Sequence, residues 1–515
     1  MRQNLFTLKS VFFMGLLSIF VSCSDDDMTT ITPQPQPEPE PQPMASVAPL
    51  VEFTALSNDN KVFYFNARNL NSPIRSYSIT GLQSGENIIS IDYRPATGQL
   101  YGLGSTSRLY LINENSGLAT PLGSMPFAPQ IQGTSSSIDF NPTVDRVRLV
   151  SNNGQNLRLH PELGTVVATD GSINGVANTQ IEAVAYTNSV SGSTSTQLYD
   201  IDYTTDKLYL QTPPNDGGLQ EVGSLDVDFS GIGGLDILPD SNYAMAVNNN
   251  NNESRLYTIS LATGKAIWIG TFTQQITEVA FKSKPIAYAT SSSNMLYRLN
   301  PINGTSNSIA LTGLNTNEQV VGLDFRPVNG ALYAITNQSR LLTINTSNGQ
   351  VTAIGSGLSP TLIGQDFGFD FNPTVDRIRL VSNTGQNLRL HPDLGTVVAI
   401  DGSLNPGTPS VSAAAYTNSF AQTTSTQLFV IDTSNNNLYL QNPPNDGTLV
   451  LIGSLGVTAS AMNGFDVGGN SNEGFAILNV NNVQSVYKIN LSSGLATKVV
   501  DFSPNITAMA LGLGF

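Results

Sequence analysis

One cysteine, one tryptophan and two histidines in 515 residues set the first limits. A single cysteine excludes any intramolecular disulfide, so packing and hydrogen-bonded ladders must hold the fold. Two histidines, one in each half of the chain, exclude a histidine-based zinc centre within either half. Charged residues make up only 12% of the chain, and 23 basic side chains face 38 acidic ones, for a formal charge of -15. Without a basic surplus to neutralise phosphates, a nucleic-acid partner is excluded and cations are the natural counter-charge. The sequence also lacks a nucleophile elbow, a phosphate-binding loop, an HExxH pair and a cysteine nucleophile, which removes several large hydrolase and nucleotide-binding classes.

What is present is glycine, asparagine, serine and threonine between apolar runs, the composition of a turn-rich β protein. The chain is too long for one core. At its start, Arg2 and Lys9 precede an apolar run from Val11 to Val21, too short to span a bilayer but suited to a signal peptide. Ser22 and Cys23 follow and resemble the bacterial lipobox, with Phe20 where leucine is more usual; the resemblance implies lipidation of Cys23 after cleavage. Asp25, Asp26 and Asp27 resemble the surface-export signal of Bacteroidetes lipoproteins. The expectation is a signal peptide over 1–22, a lipidated N-terminus and proline-rich linker over 23–47, and a body held at the outer membrane, facing outward, by the lipid on Cys23. The PQPQPEPEPQP stretch at 33–43 favours extended polyproline II and cannot join a ladder.

The body is a duplication. The segment Phe140–Ser172 recurs almost unchanged as Phe371–Ser403, and QTPPNDG from Gln211 returns as QNPPNDG from Gln441. Within the first copy, Asp92, Asp139, Ala185, Asp236 and Ala280 end similar apolar runs at steps of 47, 46, 51 and 44 residues, the spacing of propeller blades. Between Ile88 and Gly123 four β-rich runs can be counted, IISIDY, QLYGLG, RLYLIN and ATPLG, the content of one blade. Residues 50–79 supply three runs, and ITEVAF at 276–281 is a fourth left over at the tail; residues 286–311 and ITAMAL at 506–511 repeat the arrangement. The expected fold is therefore all-β, two tandem five-bladed β-propellers over 48–282 and 283–515, each fastened by its own terminal strand; the alternative is one ten-bladed ring.

The blocks FNPTVDR, LVSNTGQNLRLHP, AYTNS and PPNDGTL resemble the bacterial family called domain of unknown function 4394, in two copies over roughly residues 50–515. The resemblance implies no activity and no site.

Three groups of residues invite chemistry. Asp92, Asp139 and Asp236, and likewise Asp324, Asp370 and Asp466, fall at equivalent points of inner strands and would converge near a ring axis. There they would suit Ca²⁺, which takes six to eight oxygen ligands. The competing reading makes each a turn aspartate that accepts a nearby backbone N–H on the way to the following proline. Arg146, Arg148 and Arg158, repeated as Arg377, Arg379 and Arg389, would form forks for a carboxylate, sulfate or uronic acid; alternatively they are buried partners of Asp139, Asp145 or Asp170. His160 and His391 share these hairpins and precede proline. Tyr186 and Tyr416, in the YTNS turns, are candidate carbohydrate platforms or else tyrosine corners, while Trp268 reads as packing. The function expected is a non-enzymatic surface lipoprotein that binds an unknown extracellular ligand or protein, with Ca²⁺ as a structural element. The alternative is an enzyme that cleaves an extracellular glycan through paired aspartates.

Overall fold

The computed structural model describes residues 46–240, 243–284 and 286–515. Cys23, the apolar run Val11–Val21 and the proline-rich stretch 33–43 lie outside them. The described residues form ten antiparallel sheets of four strands each. In the first half, Ile88–Tyr93, Leu100–Gly104, Arg108–Ile112 and Ala119–Pro121 make one sheet in chain order, and the sheets opened by Ser136–Asn141, Ile181–Tyr186 and Leu235–Ile237 do the same. The exception is the sheet in which the late strand Ile276–Ala280 lies beside the early strand Glu52–Ser57, Val279 opposite Ala55. The second half repeats this arrangement, with sheets opened by Val320–Phe325, Phe367–Asn372, Val411–Tyr416 and Ala459–Val467. Its last strand, Ile506–Leu511, pairs with Ala287–Ser291, Met509 opposite Ala289. Each tail run therefore pairs with the opening strand of its own half.

The opening strands pack side by side in a circuit. Ile88–Tyr93 touches Ser136–Asn141, which touches Ile181–Tyr186, then Leu235–Ile237, then Ile276–Ala280, which returns to Ile88–Tyr93. The corresponding five strands of the second half close in the same way. Sheets stacked like this cover both faces of their inner strands, so these read as continuous apolar runs. Leu100–Gly104 is buried at every position, whereas the outermost strand Thr396–Ile400 alternates between half-buried and exposed. The cores lie between neighbouring sheets: Tyr101, Leu103 and Leu109 of one sheet meet Phe140, Val147 and Leu149 of the next. Each such side chain contributes about 1.5–3 kcal/mol by leaving water.

Bulges in several opening strands, between Ile88 and Ser90, Ile181 and Ala183, and Val320 and Gly322, shift the register once just before the positions that face the middle of the circuit. The two halves also touch. Arg94 donates to the Gly330 carbonyl at 3.0 Å, Gln422 to Thr120 at 2.9 Å, and Asn115 to the Asn470 carbonyl at 2.9 Å. Buried Glu114 accepts from Tyr93 and Lys282 on its own side and from Asn470 on the other.

Candidate functional site

The inner-strand aspartates meet. Asp92, Asp139 and Asp236 each place one carboxylate oxygen within 4.8 Å of the others, and Asp324, Asp370 and Asp466 repeat the cluster. All six are buried. The turn reading is corrected in one respect: each carboxylate accepts an N–H from the neighbouring sheet. Asp92 takes that of Phe140 at 2.7 Å, Asp139 that of Tyr186 at 3.1 Å and Asp236 that of Phe281 at 2.5 Å. In the second half Asp324, Asp370 and Asp466 take those of Phe371, Tyr416 and Leu511. Four of the six also accept the N–H of the residue that follows, as Asp92 does from Tyr93 at 2.6 Å. The triads are therefore latches from sheet to sheet, and at the alanines 185, 280, 415 and 510 the residue that follows donates its N–H while no carboxylate is supplied.

Burial and mutual repulsion oppose ionisation. Asp92, Asp139, Asp324 and Asp370 have pKa values well above the ordinary carboxylate range, first through burial and then through their partners' charges. Asp236 and Asp466 are pushed up to about 7 by burial, against the pull of their N–H donors.

The first cluster carries an addition that the sequence reading missed. Glu278, also buried and also raised by burial, accepts from the Ser90 hydroxyl at 3.0 Å, and Ser90 accepts the N–H of Ile138. The second half has Ala508 and Gly322 at these places. An acidic residue inside the otherwise apolar run ITEVAF, against ITAMAL, was the available signal.

The arginines sit in the crevice between the sheets opened by Ser136–Asn141 and Ile181–Tyr186, and between their equivalents in the second half. Arg148 and Arg158 both bond Asp170, Arg148 at 2.6 Å and Arg158 at 2.7 and 2.9 Å, so the Asp170 partnership holds. Asp139 and Asp145 are not their partners. Asp139 latches a backbone N–H, and Asp145 is taken by fully buried Arg94, which holds it below the usual range although burial opposes this. Arg94 follows Tyr93 in the turn that ends Ile88–Tyr93; its counterpart Arg326 bonds Asp376 and Asp393. Arg146 and Arg377 bond the carbonyls of Asp145 and Asp376 and make no ion pair among the described residues. His160 accepts the N–H of Glu162 and is driven down to about 4 by burial, hence neutral at pH 7.

In the second half, Arg379 reaches Asn387, Asp401 and Asn445, each at 2.7 Å, and Arg389 grips Asp401 with two bonds. Arg379, Arg389 and Asn445 border a cleft of about 230 Å³ together with Arg377, Asn372, Pro444 and Tyr416. Two buried atoms there, Arg379 Nε and the Tyr416 hydroxyl, lie beside one another without closing a hydrogen bond. In the first half the corresponding atoms satisfy one another, Arg148 Nε donating to Tyr186 at 3.3 Å. Both tyrosines are about 1% exposed, so neither is the surface platform that the YTNS turns suggest. Trp268 is half-buried and packs against the core of its sheet pair.

The profile of a family described as domain of unknown function (DUF4394) matches residues 61–280 and again 295–512. No curated protein matches the chain.

Proposed function

We propose, from the premise that this chain belongs to the DUF4394 family through both of its halves, that it is a cell-surface lipoprotein whose two five-bladed β-propellers bind an anionic ligand without converting it. Two rings have more support than one ten-bladed ring, because each tail strand pairs within its own half and the opening strands pack in two separate circuits. The anchor rests on Cys23 behind its apolar run; metabolic labelling with palmitate, absent from Cys23→Ala, and protease accessibility on whole cells test it.

The observation that carries the binding role is the second-half cleft, where Arg379 and Arg389 share the single carboxylate of Asp401, Arg377 has no carboxylate partner among the described residues, and neither Arg379 Nε nor the Tyr416 hydroxyl closes a hydrogen bond. A carboxylate accepts from such donors in paired geometry, and a volume of about 230 Å³ suits one sugar ring. Uronic acid is therefore the ligand class. Calorimetric titration with glucuronate should show one saturable site, weakened about ten-fold by Arg377→Gln or Arg389→Gln through loss of a charge-assisted contact. Binding that ignores both substitutions, or no binding, would remove the proposal.

Glycan cleavage through Asp92 and Asp139 has less support, since both are buried and bonded to backbone N–H groups. For Ca²⁺, oxygens within 4.8 Å of one another suit an ion with Ca–O distances of about 2.3–2.6 Å. We assign each triad to one such ion, which would displace the protons that the carboxyl groups otherwise keep.

A further inference from the structure

Arg298 is a buried cation without a carboxylate. It lies on the strand Met295–Leu299, where the first half has Tyr64 on Lys61–Asn66, and it is about 4% exposed. Its guanidinium donates to the Thr346 carbonyl at 3.1 and 2.5 Å, to the Ser347 carbonyl at 3.1 Å and to Asn307 Oδ1 at 2.9 Å. All of these acceptors are neutral. The carboxylate whose charge acts on it, Asp145 of the first half, is already held by Arg94 through two bonds. A buried charge left in this way is costly, and an anion close by relieves the cost.

Space for one exists. Arg298 borders a cleft of about 280 Å³ between the two halves, with Lys284, Asn300, Thr305, Asn307 and Ser191 among its walls and no acidic residue. Lys284 is exposed and makes no ion pair among the described residues. The first half closes over the guanidinium with the loop that carries Ser191 and Gly192. Ser191 bonds the Tyr288 hydroxyl at 2.6 Å, and a Cβ on Gly192 would lie 2.8 Å from both Arg298 and Asn307. Gly192 also has φ +79°, so only glycine seats the loop there without strain.

We propose that this cleft binds a tetrahedral oxyanion, sulfate or phosphate, held between Lys284 and Arg298 with hydroxyl and amide donors around it, and that the ion clasps the two halves together. The site is separate from the uronate cleft and does not depend on it.

Isothermal titration of the full chain with sodium sulfate, at ionic strength fixed with chloride, tests the proposal. One saturable site is expected, weakened about ten-fold by Lys284→Gln and abolished by Arg298→Tyr, which installs the residue that the first half already accommodates. Arg389→Gln should leave it unchanged. A saturating rise in melting temperature with sulfate, lost in Arg298→Tyr, should accompany the heat. A sulfated monosaccharide that binds more tightly than inorganic sulfate identifies an ester group as the ligand; equal or weaker binding identifies the free ion. No saturable heat, heat that survives both Lys284→Gln and Arg298→Tyr, or heat abolished by Arg389→Gln would overturn it.

Discussion

Asp200 occupies the place of Val430 in the second half, fully buried, with neither carboxylate oxygen bonded. Burial raises its pKa well above the ordinary range. A carboxyl with a raised folded pKa contributes stability that is complete below its unfolded value near 4 and is lost as pH rises towards the folded one. Asp200→Val should therefore stabilise the protein at pH 7 by about 1–3 kcal/mol in urea unfolding, with a smaller gain at pH 4; a loss at pH 7 would mean that Asp200 serves a partner. Tyr416 offers a second contrast at this scale. Removing its unbonded hydroxyl in Tyr416→Phe should change stability by less than about 0.5 kcal/mol, yet weaken glucuronate about ten-fold. An equal loss of both would assign the hydroxyl to folding alone.

Among elements, the opening strands depend on carboxyl groups that resist ionisation. Asp236 and Asp466, with values near 7, make the sign definite: in chelator, the melting temperature should fall as pH rises from 5 to 8, and Ca²⁺ should restore it at pH 8. Melting indifferent to both pH and Ca²⁺ would deny the triads either role. Asp92→Ala leaves the N–H groups of Tyr93 and Phe140 without acceptors and should cost about 2–4 kcal/mol. The meeting of these aspartates was legible in their regular spacing, and so were the four runs of a sheet and the leftover tail run. Their partners were not, because Phe140 lies 48 residues from Asp92 and only the packing of one sheet on the next brings its N–H across. Tyr186 and Tyr416 misled for the opposite reason: the polar residues around them belong to the turn, while their rings point into the crevice beside Arg148 and Arg379.

At the level of the whole molecule, two similar halves are joined by unlike contacts. Glu114 collects Lys282, Tyr93 and Asn470 in a buried setting that no repeat pattern announces, and Arg94 crosses to Gly330 from the turn that follows Ile88–Tyr93. Glu114→Ala should strand these donors and, in scanning calorimetry, separate one unfolding transition into two; a single undivided transition would show that the halves depend on other contacts. The pairing of first and last strands has a mechanical side. Glu52–Ser57, the first strand after the N-terminal segment, lies between Ile276–Ala280 and Lys61–Asn66 and is hydrogen-bonded to both. A tether pulling on the N-terminus therefore loads two ladders in shear, which must rupture together, whereas Ile506–Leu511 at the other end is held by one ladder. Force applied at the N-terminal side of Glu52 would meet the sturdier attachment.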